Sequence, residues 1–172
     1  MSVVLRRAVA GDAPSMAVIA ERTFRDAFGA HNSPDNMDLQ CARHFGPDIQ
    51  AREIADRGLV TTLAVEGGQI VGFTQVTLAK AHPSVAAKHA AELNRIYVAA
   101  EQHGKGVAQA LMRNVFTTAA AAGADRLWLG VWEHNSKAIA FYRKFGFEIV
   151  GEHSFMLGLE RQRDVLMAAG ID

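Results

Sequence analysis

Residues 99–112, AAEQHGKGVAQALM, place Gly104 and Gly106 at the head of a run that is apolar at helical spacing. Inside a helix glycine costs about 1 kcal/mol against alanine, so a pair here gives the backbone a task of its own. A strand, a glycine turn and a helix N-terminus together form an anion site. The first N–H groups of the helix lack intrahelical partners, and the helix dipole adds about half a positive charge. Glycine also lets a phosphate approach without meeting a Cβ, and His103 and Lys105 stand at the rim. The segment lacks the Ser or Thr with which a P-loop holds magnesium, and Gln109 stands where a dinucleotide fingerprint needs its third glycine. From the glycines alone, a turn that merely packs a helix onto a sheet remains the alternative. Nucleophilic and metal chemistry find little support. No G-x-S-x-G elbow occurs, and the lone Cys41 is remote from the glycine pair. Seven histidines include no H-x-x-x-H and none joined to cysteine at zinc spacing, so no metal is expected.

The elements that must position these residues can be read from periodicity. Val3 to Ala8 is a short β-rich run. Asp12 is the expected N-cap of a helix with apolar positions Met16, Ile19, Ala20, Thr23, Phe24, Ala27 and Phe28, stopped by Gly29. Ser33 before Pro34 opens a second helix ending near Gly46, and PDIQAREIADRG predicts a third closed by Gly58. The period then changes to two: LVTTLAVE and QIVGFTQVTL flank Gly67-Gly68 as a hairpin. AKAHPSVAAKHAA predicts a loop with at most one helical turn, and Glu92 to Ala99 a further strand. Val107 to Ala122 predicts a helix, DRLWLGVW a buried strand, and Asn135 caps the helix SKAIAFYRKF, which ends at Gly146. FEIVGEHSFML and RDVLMAA predict two last strands. The order implies a single α/β (α+β) domain over residues 1–172 with a mixed sheet of six to seven strands. A helix between ELNRIYV and DRLWLGV makes those two strands parallel neighbours with a right-handed crossover.

Composition removes several classes of function. Lys+Arg and Asp+Glu number 18 each, so the basic excess of a nucleic-acid binder is missing. One cysteine forms no internal disulfide and gives no sign of an oxidising compartment. The N-terminal segment is broken by Arg6, Arg7, Asp12 and Glu21, and no run of about 18 apolar residues occurs to span a membrane. The expectation is a cytoplasmic protein with neither nucleic acid nor membrane as partner; a homodimer is left open.

RIYVAAEQHGKGVAQALM resembles the pyrophosphate loop of the GCN5-related N-acetyltransferases, written [QR]-x-x-G-x-[GA], with His103 where that family carries glutamine or arginine. Asn135 to Phe147, NSKAIAFYRKFGF, resembles the second signature of the same family, N-x-x-A-x-x-F-Y-x-x-x-G-F. TFRDAFGAHNSPDNMD, LWLGVWEHNSKAIAFY and GEHSFMLGLERQRDVLM further resemble the PaiA-type spermidine/spermine branch.

The resemblance implies acetyl-CoA as cosubstrate, lying between two splayed parallel strands, and the amine of a small molecule, such as a polyamine, as acceptor. A non-catalytic acyl-CoA-binding domain and a peptide or protein N-acetyltransferase are the alternatives. The implied cofactor contacts are Ile96, Tyr97 and Val98 on the strand that pairs with the pantetheine, His103, Gly104, Lys105, Gly106, Val107 and Ala108 in the loop, and Asn135 and Tyr142 beyond. Tyr142 is the implied general acid for the departing thiolate, or else a packed aromatic beside Phe141 and Phe145. Glu92 is the candidate base, acting through water, or else a solvated strand-end carboxylate. Glu133 is a second base or amine anchor. Phe24, Phe28 and Asn32 are implied in the acceptor pocket, with Asp38 as a further carboxylate; His153 is either structural or near the acceptor.

Overall fold

The computed structural model describes residues 2–172. Seven strands, β1 (Val4–Arg7), β2 (Leu59–Glu66), β3 (Gln69–Thr77), β4 (Ala90–Val98), β5 (Arg126–Trp132), β6 (Glu148–Leu157) and β7 (Glu160–Gly170), form one sheet in the order β1-β2-β3-β4-β5-β7-β6. Helices α1 (Ala13–Phe28), α2 (Pro34–His44) and α3 (Pro47–Ala55) precede β2. Helix α4 (Val107–Ala121) crosses over from β4 to β5, and α5 (Ser136–Lys144) links β5 to β6. Among the described residues no helix is long and apolar enough to cross a membrane.

Two apolar layers sandwich the sheet, as alternation along the strands requires. On one face Met16, Phe24, Met37 and Phe45 from α1, α2 and the residue after α2 pack against Leu63, Phe73 and Leu157. On the other, Met112, Val115 and Ala119 of α4 meet Leu93, Leu127, Leu129 and Met167, with Phe141 and Tyr142 of α5 at the margin. Every neighbouring pair of strands is antiparallel except β4 and β5, the parallel pair that the crossover required.

That pair holds the key to the site. β4 and β5 are matched only from Ala90–Glu92 against Arg126–Trp128, and then diverge. On its other side β4 carries an irregularity: Val76 faces Leu93 and Gln75 faces Arg95, leaving Asn94 as an extra residue. A bulge of this kind bends and twists the strand that carries it, here where pairing with β5 stops. Arg95 then anchors the bent portion, donating to Glu53 of α3 at 2.8 Å while its guanidinium lies 5.1 Å from the centre of the Phe45 ring.

The local signals held in part. Gly67 and Gly68, both at positive φ, make the β2–β3 hairpin. Ser33 and Asn135 cap α2 and α5, accepting from the N–H groups of Asn36 and Ala138. Asp12 does not cap α1: it already has helical dihedrals at the end of a 3₁₀ turn, and its carboxylate accepts from the Val9 N–H at 2.8 Å while pairing with Arg6. Helix α3 stops at Ala55 rather than Gly58, because the Asp56 side chain accepts from the Gly58 N–H and turns the chain locally. Strand β4 begins two residues before Glu92, and the segment before it forms no helix.

Candidate active site

Two cavities meet where β4 and β5 separate. The smaller, about 300 Å³, lies against Gly104, Gly106, Val107 and Ala108. The larger, about 540 Å³, opens toward α1, β6 and β7. Six residues line both: Ile96, Val98, His103, Asn135, Ala138 and Tyr142.

The glycine side is built from backbone. Gly104 and Gly106 have φ of +78° and +84°, and a Cβ at either would meet nothing within 4 Å. Both are exposed, and Gly106 is the N-cap of α4. The open space therefore faces the unpartnered N–H groups of the first turn of α4, the arrangement that accepts a phosphate. Lys105 is exposed between the glycines and lies outside the cavity lining. His103, at the position where the resemblance called for Gln or Arg, donates from Nε2 to the Val98 carbonyl at 2.9 Å. Its ring thus ties the loop back to the end of β4. Ile96 and Val98 turn toward α4, while Tyr97 turns to the opposite face against Phe73.

Tyr142 stands at the junction. Its ring is supported edge-on by Phe141 and Phe147, 5.7 and 5.8 Å away between centroids. Burial pushes the phenol well above its ordinary pKa, so it stays protonated and able to donate. Asn135 both caps α5 and lines the two cavities.

The larger cavity is built from side chains. Phe24 and Phe28 of α1 form one wall, 4.9 Å apart, and Phe28 meets Trp132 edge-on at 6.3 Å. Tyr97 contributes a phenol pushed up to about 12 by burial. Glu92 enters from β4; burial raises its carboxyl, against the opposing pull of Lys80 and His153. On the far side stand His153 of β6 and Asp164 of β7, Nε2 to Oδ2 3.6 Å, beside Gly130 of β5. Burial likewise raises Asp164, and His153 draws it back down.

Three expected acceptor residues are not brought to this cavity. Glu133, just past the end of β5, turns to Arg163 at 2.8 Å and lines a separate surface depression with His31 and His134. Asn32 is occupied as a clamp, donating to the Phe28 carbonyl at 2.8 Å and accepting from Gln162 at 2.7 Å. Asp38 is exposed and pairs with Arg25. Conversely, Asp164, Gly130, Trp132 and Gln162 line the cavity without having been singled out. For Asp164 a signal existed. It shares strand parity with Leu166 and Ala168, a charge placed on a buried face. Among the described residues, no three His, Cys, Asp or Glu side chains are grouped to hold a metal ion.

Comparison with known proteins follows the same lines. The model of the acetyltransferase (GNAT) family matches residues 18–147. An uncharacterized N-acetyltransferase of Lactobacillus delbrueckii subsp. lactis is 31% identical over 156 residues, 91% of this chain and 90% of its own length. One from Mycobacterium tuberculosis is 33% identical over 156 residues, 91% and 96% respectively. Among solved structures, the PaiA N-acetyltransferase of Thermoplasma acidophilum in complex with coenzyme A superposes with a TM-score of 0.80 at 18% identity, covering 99% of both chains.

Proposed function

The chain belongs to the GNAT acetyltransferase family, and on that premise we propose that it moves the acetyl group of acetyl-CoA to a primary amine of a small molecule by direct attack in a ternary complex. One observation carries the reading: the glycine-lined cavity and the larger cavity share a wall that contains Tyr142 and Asn135. A thioester lodged at the junction is reachable from both sides.

The residues fit the cosubstrate. The N–H groups after Gly106 take the pyrophosphate, and the β4 backbone at Ile96, Tyr97 and Val98, unpaired toward β5, takes the pantetheine as an added strand. Acetyl-CoA supplies an activated acyl group with a thiolate to leave. The amine arrives from the larger cavity as an ammonium, drawn by Glu92. Through a water, Glu92 begins its deprotonation. The free amine then forms a C–N bond with the carbonyl carbon. As the C–S bond breaks, Tyr142 protonates the sulfur, and the second proton lost by the acylated nitrogen restores the phenol. A phenol held protonated by burial suits that step.

Carboxylates at Glu92 and Asp164 beside the apolar wall of Phe24 and Phe28 favour a cationic acceptor with methylene groups, such as a polyamine. A panel of amines assayed for coenzyme A release tests the assignment. Spermidine should react, with a KM that rises with salt as charges are screened. Monoamines that react equally well, without salt dependence, would remove the polyamine while leaving acetyl transfer intact. No release with any amine would sink the enzyme reading.

A further inference from the structure

His153 and Asp164 are direct cross-strand partners on β6 and β7, and both point into the larger cavity. Gly130 makes room for them. A Cβ at that position would stand 3.2 Å from the Asp164 carboxylate and 3.3 Å from the His153 ring. Asp164 is 8% exposed, and among the described residues His153 is its only ion-pair partner. A carboxylate this buried is costly to keep charged without a cation beside it. His153 differs: its side chain is 37% exposed, with Nε2 3.6 Å from the Asp164 carboxylate. Other groups line the surroundings of the pair. Glu92 of β4 feels the charge of both His153 and Lys80, which lies in the β3–β4 loop. The His82 ring lies 6.3 Å from His153 and stacks near Trp128 of β5 at 5.0 Å. Glu152 and Arg163, the adjacent residues of β6 and β7, pair with each other at 3.3 Å.

We propose that His153, held by Asp164, receives the proton that leaves the acceptor ammonium through the water at Glu92. The proposal rests on the acetyl-transfer reading and adds the destination of the proton. An efficient proton acceptor titrates near the working pH, the range in which imidazole as a class changes charge. The Asp164 carboxylate, 3.6 Å from Nε2, favours the tautomer with hydrogen on that atom, which leaves the lone pair on Nδ1. One N–H bond of the ammonium breaks, and its proton passes through the water to Nδ1. The nitrogen lone pair forms the C–N bond. The second proton lost by nitrogen makes up for the one Tyr142 gives to sulfur as the C–S bond breaks. The imidazolium, balanced by Asp164, then sheds its proton. Each turnover thus releases one proton to solvent, as transfer from a thioester to an ammonium requires.

The test is coenzyme A release with spermidine and with phenethylamine across pH, for the wild type, His153→Gln and Asp164→Asn, with acetyl-CoA binding by calorimetry as the control for folding. His153→Gln should lower turnover by roughly 10²–10³-fold and change the acid side of the pH–rate profile. Asp164→Asn should also lower turnover, since the ring loses the carboxylate that orients it and balances its charge once protonated. Acetyl-CoA affinity should match the wild type in both. Added imidazole should restore part of the rate to His153→Gly, which also serves if the Gln variant does not fold. A His153→Gln protein with wild-type turnover and an unchanged pH profile overturns the proposal alone. A wild type that binds acetyl-CoA but releases coenzyme A with neither amine overturns the acetyl-transfer reading beneath it as well.

Discussion

The two cavities on either side of the β4–β5 splay are made by different means. On the glycine side one contiguous stretch, Val98 to Ala108, supplies the strand end, the turn and the helix start, with α5 closing the wall, and on the proposed reading its recognition groups are backbone N–H. The acceptor side draws Phe24 and Phe28, Glu92, Gly130, His153 and Asp164 from five separate elements, and its recognition groups are side chains. A backbone site depends little on the side chains around it, whereas a side-chain site can change its ligand with single substitutions. On the proposed reading the first half is the constant one and the second the specific one.

Substitutions that strike only one half sharpen this contrast. The largest effect is expected from Gly106→Glu. At φ +84° any side chain is strained, and this one would put a negative charge into the open space before α4. Acetyl-CoA binding by calorimetry should weaken at least about a hundredfold, or about 2.7 kcal/mol, and a folded variant with unchanged affinity would misplace the pyrophosphate. Tyr142→Phe sits at the shared wall. It keeps the ring packing and removes the proton, so turnover should fall roughly 10²–10⁴-fold with acetyl-CoA affinity little changed. Near wild-type turnover would make Tyr142 a packing residue.

Gly130→Val strikes the acceptor half alone. Its side chain presses on Asp164 and His153, and overpacking of this kind costs about 1–3 kcal/mol. The acceptor KM should rise about tenfold while acetyl-CoA binding holds; loss of both together would erase the distinction between the halves. Glu133→Gln should do least, under about twofold on acceptor KM, because its carboxylate is already engaged by Arg163 outside the cavity. A larger effect would extend the acceptor site into that depression.

The contrast also explains what could be read from the chain. The glycine loop, the Asn135 cap and the crossover helix were legible because each is a local pattern with a local cause. The parallel neighbours followed from the crossover. The divergence of β4 from β5 came only with the family resemblance, because its local correlate, the extra residue Asn94, is defined only against β3. Glu133 and Asp38 misled for the same reason. A carboxylate at the end of a strand or on a helix is free or engaged according to which arginine folds beside it, and Arg163 lies 30 residues from Glu133. Asp164 carried a faint signal in its parity, but its partner across β6 becomes visible only with the register of the last hairpin. Asp12 shows the limit at short range: a residue suited to cap was taken instead by Arg6 and Val9.

The three-residue match between β4 and β5 has a consequence for the protein in the cell. A sheet with an interior seam left open lacks, in its empty form, part of the hydrogen bonding that protects its neighbours from unfolding. Acetyl-CoA laid along that seam binds the folded chain alone, and at a hundred times its Kd adds about 2.7 kcal/mol of stability. For a chain of this length that raises Tm by about 5–10 °C. On the proposed reading, resistance to heat and to proteases should therefore follow the supply of activated acetyl groups. Thermal melts with and without acetyl-CoA, alongside Gly106→Glu, would measure that dependence directly.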